Sequence, residues 1–203
     1  MALPTAGSAM SAKTRRRPVS TGRICLELIA TVHGRFSELP EDDLADQAGL
    51  ADWLTAKDLV TASPPRDADV ADFQGLREAI FRLVSAAGGG PESALENAVA
   101  LVNKHARGDI HLVQLIAQSD SSGGVHLTAQ TVPPTVSQVL TTVARDAVDL
   151  LTGPDAERLH QCQADTCGSF YLDSSRGRQR RWCSSASCGN RERVAAFRDR
   201  NRA

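Results

Sequence analysis

Cys162-Gln163-Ala164-Asp165-Thr166-Cys167 and Cys183-Ser184-Ser185-Ala186-Ser187-Cys188 decide how the C-terminal part of this chain folds. The spacing is C-x4-C-x15-C-x4-C. Each short pair closes a loop that brings two thiolates within about 4 Å, as Zn–S bonds of about 2.3 Å require. A closed set of four sulfurs is structural zinc chemistry, favoured here over an iron–sulfur cluster. His160, two residues before Cys162, is a weaker substitute ligand. A C-x-x-C redox motif is absent, because four residues lie between the cysteines of each pair. Disulfides would suit a small exported domain, but the chain reads as cytoplasmic. Arg15-Arg16-Arg17 precede an apolar run that Glu27 and His33 interrupt, so neither a signal peptide nor a twin-arginine leader is expected. No stretch approaches the roughly 20 apolar residues of a membrane span. Cys25, alone in an apolar segment, reads as a small buried hydrophobe.

Between the cysteine pairs, Phe170 to Asp173 reads as a strand, Ser174 to Gln179 as a polar turn, and Arg180 to Cys183 as the return strand. Cys188 then opens a helix to about Asn201. Knuckle, hairpin and helix, with the last ligand on the first helical turn, is a treble-clef-like arrangement. The helix N-terminus places N–H dipoles near the anionic sulfurs. Val194 and Phe197, at i and i+3, are expected to pack against Trp182. Asn190 is expected to hydrogen-bond the knuckle or a thiolate.

Upstream the pattern is mainly helical. Residues 1–21 read as a disordered basic tail, more a solvated segment than a nucleic-acid-binding arm. Ile24, Cys25, Leu28, Ile29 and Val32 repeat at helical spacing, and Leu50, Trp53 and Leu54 mark a second helix. Val70, Phe73, Leu76, Ile80, Leu83 and Val84 form the cleanest stripe, stopped by Gly88-Gly89-Gly90. Pro91 opens the next helix, with Leu95, Ala98, Val99 and Val102 toward the core. Ile110 to Val132 changes to β-branched, alternating sequence around Ser121-Ser122-Gly123-Gly124, a β-hairpin signature. A last helix carries Val136, Val139, Leu140, Val143, Ala147, Val148 and Leu151, broken at Gly153-Pro154. The fold class is therefore α+β: a mainly helical body over 22–152 with one β-hairpin, then a four-cysteine zinc module over 153–203. The linker is short, which implies close packing of the two parts. The stripes are long enough that the body is expected to fold without the metal.

The formal net charge of −1 over 203 residues conceals an asymmetry. From Cys162 onward nine arginines face four acids, while the rest holds 14 Lys and Arg against 20 acids. A basic module on an acidic body suggests a polyanion partner, or docking of the two halves.

Phe170-Tyr171-Leu172-Asp173-x-Ser175-Arg176, followed by Arg181-Trp182-Cys183-Ser184-x-x-x-Cys188-Gly189-Asn190-Arg191, resembles the CGNR zinc-finger family. Leu28-Ile29-x-Thr31-Val32-x-x-Arg35, Leu50-Ala51-Asp52-Trp53-Leu54 and Leu76-Arg77-x-Ala79 resemble the ABATE domain found ahead of that finger. The finger motif is the more specific. Glu192-Arg193 departs from the usual pattern, in which a basic residue follows a small one, without affecting the fold. The resemblance implies a bacterial, stress-induced transcription regulator.

That role fits the arginines. Arg176, Arg178, Arg180 and Arg181 fall on the finger hairpin, and Arg191, Arg198 and Arg202 form one stripe of the final helix. Arginine dominates phosphate contact and guanine readout, so double-stranded DNA is the expected partner. The competing reading is a zinc-stapled protein-interaction module that meets the transcription machinery, its arginines paired with nearby acids. A homodimer would enlarge a one-finger footprint. An enzyme is not expected: the sulfurs leave zinc no open position, and the histidines are scattered. His33, Arg35 and Trp53 are candidates to line a ligand pocket in the body.

Overall fold

The computed structural model describes residues 21–86, 92–110, 113–120 and 123–202. The basic run at 15–17, Gly88-Gly89-Gly90 and Pro91 lie outside these. The body is built on α1 (Ile24–Ile29), α3 (Asp67–Ser85), α4 (Glu92–Ala106) and α5 (Val136–Thr152), with α2 (Gln47–Ala56) on one side. Helix starts follow local chemistry. Asp46 accepts from the Gly49 N–H at 2.8 Å, and Asp69 reaches back to the Arg66 N–H at 2.7 Å. Thr135 and Gln138 form a reciprocal capping box on α5.

The stripes read from sequence face one core, except that in α5 Val148 is exposed and Leu150 is buried in its place. Cys25, Leu26, Leu28 and Ile29 of α1 meet Val70, Phe73, Leu76 and Ile80 of α3 and Val139, Val143, Ala144 and Ala147 of α5. Trp53 docks α2 edge-on against Phe73, with ring centroids 5.8 Å apart. Val99 is a correction: it is exposed, because Ala98 and Val102 set the buried line of α4. Val32 is another. The first helix ends at Ile29, and β1 (Val32–His33) pairs antiparallel with β2 (Glu41–Asp42).

Arg77, 4% exposed on α3, holds that ribbon. Its guanidinium donates to both oxygens of Asp42 at 2.6 and 2.7 Å and to Thr31 Oγ1 at 3.0 Å. Burial opposes ionisation of Asp42, but the Arg77 hydrogen bonds, the Leu44 backbone N–H and the charges of Arg77 and Arg35 together outweigh it and hold the carboxyl below its ordinary range. This stabilisation is full at neutral pH and is lost as pH falls through the depressed pKa. Replacing Arg77 with methionine should cost about 2–3 kcal/mol, because Asp42 is left half-buried without its cation. Denaturant unfolding near neutral pH measures this. The deficit should shrink in acid.

The hairpin is present as β3 (Val113–Ser119) and β4 (Val125–Thr131), in antiparallel register from Val113 opposite Thr131 to Ser119 opposite Val125. After α5 a 3₁₀ turn (Pro154–Arg158) leads into β5 (Leu159–Gln161), which pairs antiparallel with β6 (Phe170–Leu172). The expected return strand at 180–183 does not form. The strand that pairs with β6 is β5 instead. The 180–183 segment is held by single bonds: Gln163 N–H to the Arg181 carbonyl at 2.9 Å, and the Tyr171 hydroxyl to the Arg180 carbonyl. Helix α6 (Cys188–Arg200) closes the chain.

The two parts share a core. Phe170, 4% exposed, sits in the body cluster and meets Phe81 edge-on at 5.8 Å. Leu159 and Leu172 pack on the same cluster. The close packing implied by the short linker is therefore present, and more intimate than two docked domains.

Candidate metal centre

Cys162 and Cys167 flank a knuckle whose turn is closed by the Cys167 N–H donating to the Ala164 carbonyl at 2.9 Å. Cys183 precedes the Ser184–Ser187 turn, and Cys188 is the first residue of α6. The four sulfurs lie within 4.8 Å of one another and are buried. Cys167 to Cys183 and Cys183 to Cys188 are each 3.7 Å. A tetrahedron with Zn–S bonds of about 2.3 Å has edges of about 3.8 Å, so the donor set fits zinc in size as well as chemistry. All five cysteines in the chain are free of disulfides.

The thiols do not ionise independently. The sulfur of Cys167 is pulled well below the ordinary thiol range by its contacts to Cys162 and Cys183. Its Ser169 Oγ neighbour, at 3.3 Å, helps. The hydrogen bonds to Cys162 and Cys167 in turn push Cys183 up, and burial with the Cys167 charge pushes Cys188 up to about 11. Four adjacent thiolates need a cation between them, so metal loading releases protons. His160 stands outside the sulfur cluster, beside Tyr171 across the β5–β6 pair, with ring centroids 6.2 Å apart.

The expected role of Asn190 is corrected. It is exposed and makes no side-chain hydrogen bond among the described residues. Two positions after Cys188, a helical side chain points away from the metal; at three positions the face returns. There Arg191 brings a guanidinium nitrogen to 4.0 Å from Cys188 Sγ and another to 3.3 Å from Thr166 Oγ1. The arginine in this motif therefore does what sequence reasoning gave to the asparagine. Gly189 has a packing reason: a Cβ there would come within 3.1 Å of Trp182 Cε3. The indole lies over this first turn, and Val194 and Phe197 are not buried against it. Those two are 39% and 59% exposed, contrary to expectation.

Arg180 is also corrected, since it is not an exposed cation. Its guanidinium stacks on Tyr171 at 4.4 Å and donates to the carbonyls of Trp182 and Cys183. Its backbone N–H donates to Asp173, which also accepts from the Ser175 N–H, both at 2.9 Å. The Ser175 hydrogen bond leads the effects that hold the Asp173 carboxyl down at about 2. Burial pushes the Tyr171 phenol up to about 12, so it stays a donor. Arg181 remains exposed, with its Nε donating to Gln163 Oε1 at 2.7 Å and its guanidinium 4.9 Å from the Trp182 ring. Arg176, Arg178, Arg191, Arg193, Arg198 and Arg200 are exposed. Arg202 lies past the end of α6.

The knuckle is fixed to the body. Arg35 and Phe36 donate their backbone N–H groups to the carbonyls of Cys167 and Thr166, each at 3.2 Å. Gly168 has φ +71, and a Cβ there would meet Arg35 Cβ at 2.9 Å, so both conformation and space demand glycine. Among the described residues His33, Arg35 and Trp53 do not assemble a pocket. His33 pairs with Asp43 at 2.7 Å, Arg35 with Glu78 at 2.6 Å over the Phe81 ring, and Trp53 with Phe73. Two cavities in the body are lined by other residues, among them Arg66, Asp69 and Ser137.

A four-sulfur site at the start of a helix, seated on a helical body through its own knuckle, corresponds to known families. The family model for ABATE, described as "Putative stress-induced transcription regulator", matches residues 22–154. The chain belongs to the ABATE family. The model described as "CGNR zinc finger" matches residues 158–201. No curated protein was found to match the chain. In the ABATE body the motif residues now have roles: Thr31 and Arg77 tie the β1–β2 ribbon to α3, and Arg35 seats the finger. The CGNR finger binds zinc through Cys162, Cys167, Cys183 and Cys188. Among the described residues no helix is long and apolar enough to cross a membrane.

Proposed function

We propose that the protein is a cytoplasmic transcription regulator whose zinc finger engages double-stranded DNA. The observation that carries this reading is the concentration of exposed arginines without carboxylate partners in the finger. In the body Arg23, Arg35, Arg66 and Arg77 pair with carboxylates, while Arg82, Arg107 and Arg145 do not. Among the described residues no arginine from Arg176 to Arg202 makes such a pair, although Asp165, Asp173, Glu192 and Asp199 are close in sequence. Unpaired exposed guanidiniums are suited to phosphate. Arg178 supports the reading further. It sits on the turn with φ 47, a left-handed conformation that glycine tolerates better. Zinc's part is to hold the knuckle, this turn and α6 in place. Arg176, Arg178, Arg181, Arg191 and Arg198 meet the DNA, and Arg180 supports the fold beneath them.

The test is titration of the full chain against duplex DNA at several salt concentrations. Binding should weaken steeply with salt, the log–log slope carrying about 0.9 for each phosphate that the protein neutralises. Arg176→Ala with Arg178→Ala should therefore flatten the slope by about 2 while zinc content stays unchanged. If this variant binds as the wild type does, the finger is not the DNA-binding surface. A protein partner is the second reading, favoured by the exposed Val194 and Phe197 on α6.

A further inference from the structure

We infer that the β3–β4 hairpin is a self-association surface, and that two copies of the chain pair through its apolar face. The register puts Val113, Leu115 and Ala117 on the same side as Val125, Leu127 and Ala129, because cross-strand partners share a face. That face is bare: Val113, Leu115, Val125 and Leu127 are 63%, 71%, 68% and 65% exposed. A two-stranded hairpin is marginal by itself in water and gains stability when its apolar face is covered.

The chemistry of the stretch selects the occupant. From Ile110 to Val132 there is no lysine or arginine, and Asp120 at the turn is the only acid. A nucleic acid or an anionic membrane surface would need cations here, and a charged peptide would need opposite charge. The strands also lack the lysines and prolines that normally guard an open edge. A second hairpin of the same kind is complementary in polarity and in length, and a two-fold axis presents identical faces to each other.

Area sets the strength. Four large side chains at about two-thirds exposure and two alanines leave on the order of 400 Å² of apolar surface per copy. Two faces together bury on the order of 800 Å², about half of a standard stable interface. The dimer is therefore weak, with a Kd in the micromolar range or above. The inference does not depend on the DNA reading.

Sedimentation equilibrium of the zinc-loaded full chain, over concentrations spanning that range, tests it. The weight-average mass should climb from one chain toward two. Leu127→Lys should hold it at one chain, with the same helical signal and melting temperature as the wild type. Thr128→Lys, on the other face of β4, should leave the dimer intact. A wild-type mass that stays at one chain across the range overturns the inference. Equal dimerisation of wild type and Leu127→Lys also overturns it, as does growth beyond two chains, which would indicate open edge-to-edge pairing.

Discussion

Replacing Cys183 with alanine should empty the zinc site and unfold the segment from β5 through α6. Apparent binding energies of structural zinc are about 10–16 kcal/mol, and in so small a module that energy is folding energy. Cys183 is the sharpest choice because its sulfur lies 3.7 Å from both Cys167 and Cys188. Elemental analysis after dialysis should fall from one zinc per chain to well below one. Amide exchange should show that protection disappears over 159–200. The effect should spread into the body, since the carbonyls of Thr166 and Cys167 anchor the Arg35–Phe36 loop. Full zinc occupancy with an unchanged finger would overturn the four-sulfur assignment. A chelator should reproduce the variant, more readily at low pH, where protons compete for the thiolates.

Ending the chain at Gly153 should strongly destabilise the body, although the sequence alone predicts that it folds unaided. The cut removes Phe170, which is 4% exposed within the body core, together with Leu159 and Leu172. Loss of a buried phenylalanine costs about 3–5 kcal/mol, and the two leucines add to it. Against a total stability of about 5–15 kcal/mol, such a loss leaves little margin. Phe170→Ala in the full chain isolates the ring from other effects of truncation. Its melting temperature should drop by roughly 10–15 °C, at about 2–4 °C per kcal/mol. A fragment that melts within a few degrees of the intact protein would mean that the finger is an independent appendage.

Both predictions rest on contacts that lie far apart in sequence, and this marks what could be read from the chain alone. The zinc ligands were legible because a metal fixes spacing: two pairs, each with four residues between its cysteines, can form a tetrahedron without knowledge of the rest. The long helices were legible because their 3.6-residue period is local, as Val70 to Val84 and Val136 to Ala147 demonstrate. The hairpin was legible from its β-branched residues and glycine turn. Its exposure was not, because alternation fixes which residues share a face but not whether anything covers it. The partner of β6 was not legible either. Leu159 to Gln161 is three residues long, too short to show a period, and pairing is decided by the β-ladder itself. Arg180 and Arg191 look alike in sequence. Tertiary structure alone turns one onto Tyr171 and the backbone of the second cysteine pair, and carries the other past the sulfurs into solvent. The sequence by itself therefore determined the metal, the helices and the charge asymmetry, all set by short-range chemistry. Only the tertiary structure decided which arginines are free and that Phe170 belongs to the body, because both depend on what long-range packing places beside each side chain.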